Sequence, residues 1–239
     1  MTSALARVLL GGRAAWALTA GAVAFVLVQA LRLRLSYYDS WDYWNDARAR
    51  LGEPGAVFYR VHGPLEALLL SPLVATLDRD GRGPWSGPHL LHVGLAALTL
   101  VALHRWLRPV VGARGAAVGV LAFVATRLFV RYAPHALVDI PAAGWVAATF
   151  AAWDRAEGAA TRGHRARARA WAVAAGVALG AGMLHKYTLL ALPGALGGAA
   201  LLRAALEPRG GAQLGRLALT GLSCLTVFAL GFGATFLRV

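Results

Sequence analysis

Charged residues are scarce in this chain of 239 residues. Only 15% of the residues are charged, 58% are hydrophobic, and the mean hydropathy is +0.57. Soluble domains carry about 25% charged and about 45–50% apolar residues, and a soluble protein of this size has too small an interior to bury the excess. The composition therefore excludes an ordinary soluble protein and predicts an integral membrane protein.

Cysteine and lysine are almost absent, and acidic residues are few. The one cysteine, Cys224, excludes an internal disulfide and a zinc site built from cysteines. The chain has 24 basic residues, of which Lys186 is the one lysine, against 11 acidic residues. A net charge of +13 can indicate nucleic-acid binding. Here the charges fall between apolar runs, so the sequence predicts no nucleic-acid partner.

Apolar runs recur along the chain between arginine-bearing breaks, as is typical of a membrane protein with several helical spans. The first run has about 18 residues without a charge, enough to cross a bilayer, and we expect it to be an uncleaved anchor. The predicted fold class is all-α, a polytopic transmembrane helix bundle that forms a single domain over residues 1–239. About seven spans are expected, at residues 14–31, 89–103, 116–130, 140–153, 170–184, 187–202 and 217–236.

Basic residues are distributed unevenly between the two sides of this predicted bundle. With the N-terminus inside, the inner segments hold 13 basic and three acidic residues, a net charge of +10, and the outer segments have a net charge of +3. Positively charged loops stay in the cytoplasm. We therefore expect a cytoplasmic N-terminus in a bacterial inner membrane. The basic run at 162–169 is interpreted as a topology anchor that contacts anionic lipid head groups.

Acidic and aromatic residues cluster in the first outer loop, residues 32–88, which holds seven of the 11 acids. Aromatic residues belong at the boundary between membrane and water. Within the loop, residues 41–51 and 64–77 are expected to form short helices, the second lying in the interface. Asp39 would precede the first of these helices and Asp42 would lie in its first turn, so one interpretation is that both acids stabilise a helix start.

Three stretches of sequence follow one another in an ordered set. They are Tyr38-Asp39-Ser40-Trp41-Asp42-Tyr43 with Arg60-Val61-His62-Gly63-Pro64-Leu65, then residues 131–142 with Asp139, then residues 176–193 with His185-Lys186. Together they resemble the GT-C membrane glycosyltransferases of the dolichyl-phosphate-mannose protein mannosyltransferase and lipid A aminoarabinose transferase types. Position 40 departs from the family pattern, because serine stands where the family has a glutamate. The chain is also shorter than most members, which is expected of a fragment or a minimal member.

The resemblance implies transfer of a sugar from a polyprenyl-phosphate donor to an acceptor hydroxyl of a lipid, glycan or protein. The acceptor proton must leave as the glycosidic bond forms, so a carboxylate is needed as general base. Asp39 is the candidate at the outer boundary of the membrane. Asp42 is the candidate substitute for the glutamate that Ser40 replaces.

The leaving phosphate needs cations around it. Arg60, His62 and Lys186 are the candidates, because arginine binds phosphate through two donors and lysine supplies a point charge. Asp139, with one of the acids of the outer loop, is the candidate ligand of a divalent cation, Mg²⁺ or Mn²⁺. Each residue has an alternative role: Arg60 and His62 extend to the interface or pair with acids, Lys186 is an outer-loop residue, and Asp139 caps a helix.

Two other functions compete with sugar transfer. A non-catalytic GT-C-like subunit of a larger complex would keep the scaffold and the contacts with membrane lipids and partner subunits without the reaction. A transporter is disfavoured, because charges are scarce within the spans and the sequence has no visible internal repeat of interrupted helices.

Overall fold

The computed structural model describes residues 12–32, 38–59, 62–77, 86–206 and 210–236. Every regular element in these ranges is helical, which confirms the predicted all-α fold class. A helix satisfies its own backbone hydrogen bonds, as apolar surroundings require. In chain order the helices are α1 (Gly12–Arg32), α2 (Tyr38–Arg50), α3 (Pro64–Leu77), α4 (Ser86–Val124), α5 (Arg127–Tyr132), α6 (Asp139–Thr161), α7 (Arg165–His185), a 3₁₀ helix (Tyr187–Leu190), α8 (Ala191–Leu206) and α9 (Gly210–Phe236).

Three of these helices are long and apolar enough to cross a membrane, at Arg13–Arg32, Gly87–Val124 and Gln213–Thr235. Helix α1 has 21 residues, and a rise of about 1.5 Å per residue carries it across a hydrocarbon core of about 30 Å. Helices α6 and α7 are of similar length, with 23 and 21 residues, but carry charged residues near their ends. The chain is thus an integral membrane protein, and the number of seven spans stays a prediction.

Helix α4 covers the predicted second span and most of the predicted third. Its backbone is non-helical at Gly112, with φ 72° and ψ 172°, so it consists of two helices, 86–111 and 113–124. Glycine adopts this left-handed φ without the steric cost that other residues carry. The predicted end of the third span at Val130 is wrong. The helix ends at Val124, and Thr126 accepts a hydrogen bond from the Phe129 N–H at 3.2 Å and begins α5.

The chain divides into two compact units, residues 1–59 with 67–144 and residues 60–66 with 145–239. In the first unit, side chains of α1, α4 and α5, among them Val26, Leu100 and Phe129, form an apolar core. In the second unit, Leu179 and Met183 of α7 pack against Cys224 of α9. The interpretation of residues 1–239 as one domain stays a prediction.

Two glycines let α7 approach α9 closely within the second unit. A side chain at Gly176 or Gly180 would overlap the carbonyl oxygen of Thr220 or Cys224, respectively. The Thr220 hydroxyl donates a hydrogen bond to the Ala172 carbonyl at 2.9 Å across the same contact. Small residues one turn apart are a common way for membrane helices to pack backbone against backbone.

We predict that Gly176→Ala destabilises the protein, because the added methyl group meets backbone that cannot rotate away. Such overpacking costs about 1–3 kcal/mol. The control is Gly221→Ala on α9, where an added methyl group has no neighbour within 4 Å. The melting temperature in detergent, followed by tryptophan fluorescence, should fall for the first variant and stay at or above the parent value for the second. Equal melting temperatures would contradict this packing.

Candidate functional site

Three acidic residues of α2 share one helical face in the first unit. Asp39, Asp42 and Asp46 are three and four positions apart, which places them on one side of a helix. Asp42 and Asp46 are buried, whereas Asp39 is exposed. The Asp46 carboxylate accepts a hydrogen bond from the backbone N–H of Tyr59 and so holds the loop that follows α2. Asp39 is therefore the carboxylate of this face that an incoming substrate could reach.

Helix α2 starts earlier than the sequence suggests. It begins at Tyr38, so Asp39 lies in its first turn and not before it, as the capping interpretation required. A carboxylate in the first turn interacts favourably with the helix dipole. Asp39 is also exposed, so its carboxylate can stabilise the start of α2 and still be reached by a substrate.

Ser40 joins this helix to the second sequence stretch. Its hydroxyl donates a hydrogen bond to the carbonyl of Ala136 at 3.0 Å, and the bond is buried. Ala136 lies three residues before Asp139, and Tyr43 and Trp44 of α2 share an apolar cluster with Leu137 and Val138. The first unit thus packs the helix of Asp39 and Asp42 against the turn that leads to Asp139.

Asp139 is the first residue of α6 and is exposed. Its position fits the alternative role of stabilising a helix start. Within the described ranges, no three His, Cys, Asp or Glu side chains come close enough to hold one metal ion. Divalent cations such as Mg²⁺ take about six oxygen ligands, so at most two of these side chains would serve one ion and water would supply the rest. A metal site at Asp139 stays a prediction.

Within the second unit, the later part of the first sequence stretch contacts the third stretch. A side chain at Gly63 would overlap the carbonyl oxygens of Leu184 and His185, so the backbone at residue 63 lies directly against the end of α7. His62, next to Gly63, and Lys186, next to His185, are both half-buried. Two candidate phosphate-binding residues therefore flank one backbone contact, although 124 positions separate them in the sequence.

Lys186 ends α7 in an extended conformation, with φ −143° and ψ 113°. Its backbone N–H donates to the Gly182 carbonyl at 2.8 Å, and the 3₁₀ helix follows directly. The backbone on both sides of Lys186 is thus held by regular structure. Arg60, the remaining candidate for phosphate binding, lies outside the described residues.

A buried hydrogen-bonded group of the second unit was not predicted as part of the site. The Nε2 atom of His185 lies 2.6 Å from Oε2 of Glu66, and both side chains are fully buried. The indole N–H of Trp145 donates to Nδ1 of the same ring at 2.8 Å. One signal was present in the sequence, because Glu66 is the one acid of the otherwise apolar helix α3. A buried ionisable group in an apolar segment points to function.

An apolar cavity of about 500 Å³ lies in the second unit among residues of α6, α7, α8 and α9. Its walls include Phe150, Trp153, Leu179, Leu196 and Leu225. A cavity of this size and lining suits an apolar ligand or part of one.

Comparison with known proteins identifies the family. Residues 24–228 match the family described as Dolichyl-phosphate-mannose-protein mannosyltransferase. The fold is similar to that of ArnT from Cupriavidus metallidurans, solved in complex with undecaprenyl phosphate, with a TM-score of 0.70 and 22% sequence identity. The match covers 92% of this chain and 41% of the ArnT chain, so the chain spans less than half the length of that protein. No curated protein sequence matches the chain.

The turn before α6 holds a buried histidine, His135. Burial, together with the nearby positive charge of Arg131, lowers the pKa of His135 below its ordinary value of 6.5. As the pH falls through that value, the unfolded chain gains a proton that the folded chain does not bind, so stability decreases. We predict that His135→Gln reduces the loss of melting temperature between about pH 8 and about pH 5.

The control for His135→Gln is His164→Gln, at an exposed histidine in the turn between α6 and α7. It removes an imidazole without touching the buried turn, and should keep the acid dependence of the parent. An identical pH dependence in the parent and His135→Gln would contradict the assignment.

Proposed function

The chain belongs to the dolichyl-phosphate-mannose-protein mannosyltransferase family, and on this basis we propose that it is a membrane glycosyltransferase. It moves a sugar from a polyprenyl-phosphate donor to an acceptor hydroxyl on the outer face of the membrane. The observation that carries the proposal is an exposed Asp39 at the start of α2, within the region that matches the family. Such a carboxylate is accessible to an acceptor and is positioned by a helix, as a general base requires.

In the proposed reaction, the acceptor oxygen forms a bond to the anomeric carbon of the sugar. The bond between that carbon and the donor phosphate oxygen breaks, and the phosphate leaves with the electron pair. Asp39 takes the proton of the acceptor hydroxyl, and Asp42 lies on the same face of the helix. Arg60, His62 and Lys186 bind the phosphate and stabilise the charge that develops on it.

The lipid portion of the donor needs an apolar environment. The bilayer supplies most of it, and the cavity of the second unit offers about 500 Å³ of apolar space in addition. The similar fold of ArnT, whose solved structure holds undecaprenyl phosphate, supports a polyprenyl phosphate as donor. The acceptor in this proposal is a lipid, glycan or protein.

The proposed location is the inner membrane of a bacterium, with the N-terminus in the cytoplasm and residues 32–88 outside. The charge difference of +10 inside against +3 outside supports this orientation. A divalent cation, Mg²⁺ or Mn²⁺, held by Asp139 and water, remains part of the proposal without a role assigned to it in the reaction.

A second candidate function is a non-catalytic subunit of a larger complex. The observation that favours it is Ser40, which supplies a buried structural hydrogen bond at the position where the family carries a second acid. In a subunit of this kind the fold and the membrane contacts would persist while sugar transfer is carried out by a partner.

We predict that Asp39→Asn lowers sugar transfer by about 10²-fold or more, because general base catalysis contributes about 10²- to 10⁴-fold. Asparagine keeps the shape of the side chain and stabilises helix starts about as well as aspartate, so folding and donor binding should remain close to those of the parent. The measurement is transfer of label from a labelled polyprenyl-phosphate sugar in proteoliposomes.

The comparison variant for Asp39→Asn is Asp42→Asn, which should reduce transfer less unless Asp42 replaces the missing glutamate. Transfer by Asp39→Asn at the parent rate would place the base elsewhere. A parent protein that transfers no sugar from any polyprenyl-phosphate donor would favour the subunit instead.

A further prediction concerns the donor phosphate. Lys186→Ala and Arg60→Ala should each weaken donor binding by about 10- to 150-fold, since a hydrogen bond to a charged group contributes about 1.5–3 kcal/mol. Binding of undecaprenyl phosphate to the detergent-solubilised protein measures this directly. The control is Arg169→Ala, the fifth residue of α7, near the opposite end of that helix from Lys186. Unchanged affinity in the Lys186 and Arg60 variants would remove both residues from the site.

A further inference from the structure

The hydrogen bonds around His185 fix its tautomer. An indole N–H can only donate, so Nδ1 of His185 must offer its lone pair to Trp145 at 2.8 Å. The ring proton is then on Nε2 and is donated to the Glu66 carboxylate at 2.6 Å. Both ring nitrogens are engaged, and the imidazole has one orientation that satisfies both partners.

This single ring connects three separate segments of the second unit. Trp145 lies in α6, His185 is the last residue of α7, and Glu66 lies in the first turn of α3. Glu66 lies four positions after His62, which precedes the start of α3, and Lys186 directly follows His185. Gly63, which follows His62, has its backbone against the carbonyl oxygens of Leu184 and His185, so the two pairs meet at this contact.

We propose that the hydrogen-bonded triad Trp145–His185–Glu66 positions the donor-phosphate site. The triad does so by holding His62 and Lys186 at a fixed separation. The inference rests on the proposed function, because it takes these two residues as the cations that bind the phosphate. The three residues of the triad act through their neighbours and do not themselves contact the donor. A preorganised anion site needs such support, because a shift of about 1 Å in a binding group can cost about 10²-fold in rate.

The energetics argue for a role beyond packing. Removing a carboxylate from water carries a large desolvation cost, and well-packed hydrophobic residues of similar volume often stabilise a core as well or better. Glu66 is the one acid of an apolar helix and is fully buried. The presence of a buried glutamate is explained if its hydrogen bond is needed to orient His185.

The test compares two substitutions of Glu66 that differ in hydrogen bonding. Glu66→Gln keeps an oxygen that accepts from Nε2–H, whereas Glu66→Leu has a similar volume and no acceptor. We expect the dissociation constant of undecaprenyl phosphate to rise about 10- to 100-fold in Glu66→Leu and to stay within about threefold in Glu66→Gln, as for partners that orient a ligand-binding group. Transfer at saturating donor should fall in Glu66→Leu and stay close to the parent value in Glu66→Gln, because His62 and Lys186 also stabilise the charge on the leaving phosphate.

Trp145→Phe is the second variant and keeps the test decisive if Glu66→Leu does not fold. It removes the N–H that selects the tautomer while keeping an aromatic ring, and it should also raise the dissociation constant of undecaprenyl phosphate. Melting temperatures establish that each variant compared is folded.

Binding is measured with undecaprenyl phosphate alone, so it is independent of sugar transfer. Equal affinities of the parent, Glu66→Leu and Trp145→Phe would overturn the positioning role. Equal losses of affinity in Glu66→Gln and Glu66→Leu would also overturn it, because the hydrogen bond would then be irrelevant. A parent that binds the probe and shows the expected differences, but transfers no sugar, would support the positioning role and overturn the proposed function.

Discussion

Polar groups in apolar surroundings must find their hydrogen-bond partners inside the protein, and the described structure depends on this requirement. Within helices, hydroxyl groups such as those of Thr149 and Ser223 donate to the carbonyl one turn earlier. Other polar side chains instead satisfy the requirement across long stretches of sequence. Ser40, Thr220 and Glu66 each bond to a residue that is between 48 and 119 positions away. In this way the scarce polar residues determine which segments lie together.

Glycine provides the second means of bringing segments together. At Gly63, Gly176 and Gly180, a side chain would overlap the backbone of another segment, so these contacts are possible only without one. The close approach at Gly176 permits the bond between Thr220 and α7. The one at Gly63 accompanies the bond between Glu66 and His185. Glycines and buried polar residues thus stabilise the same contacts between segments.

The sequence predicted the fold class and much of the local structure, because composition and apolar runs report directly on the surroundings of a segment. It placed α3 at 64–77, as observed. Pro64 begins this helix, and proline favours the first position of a helix. It placed the start of α2 three residues too late. It also extended the third span past Thr126, because a local hydroxyl cap is a weak signal against a continuing apolar run.

Long-range pairing was beyond what the sequence could provide. The partners Glu66 and His185 are 119 positions apart, and no local pattern links them. The sequence supplied the chemical type and order of the candidates Asp39, His62 and Lys186, but their exposure depends on packing. The roles assigned to these residues stay predictions, while the contact at Gly63 shows that two of them flank one place in the second unit.

Ser40 shows how one position can change the balance between structure and chemistry. A glutamate there would add a second charge to the first turn of α2, whereas serine uses its hydroxyl for a buried bond to Ala136. Leaving a carboxylate at such a buried position would carry a desolvation cost that a hydroxyl largely avoids. The serine therefore strengthens the contact between α2 and the turn before Asp139. It also leaves Asp39 as the one acid of the first turn, so any general base catalysis from that turn depends on Asp39 alone.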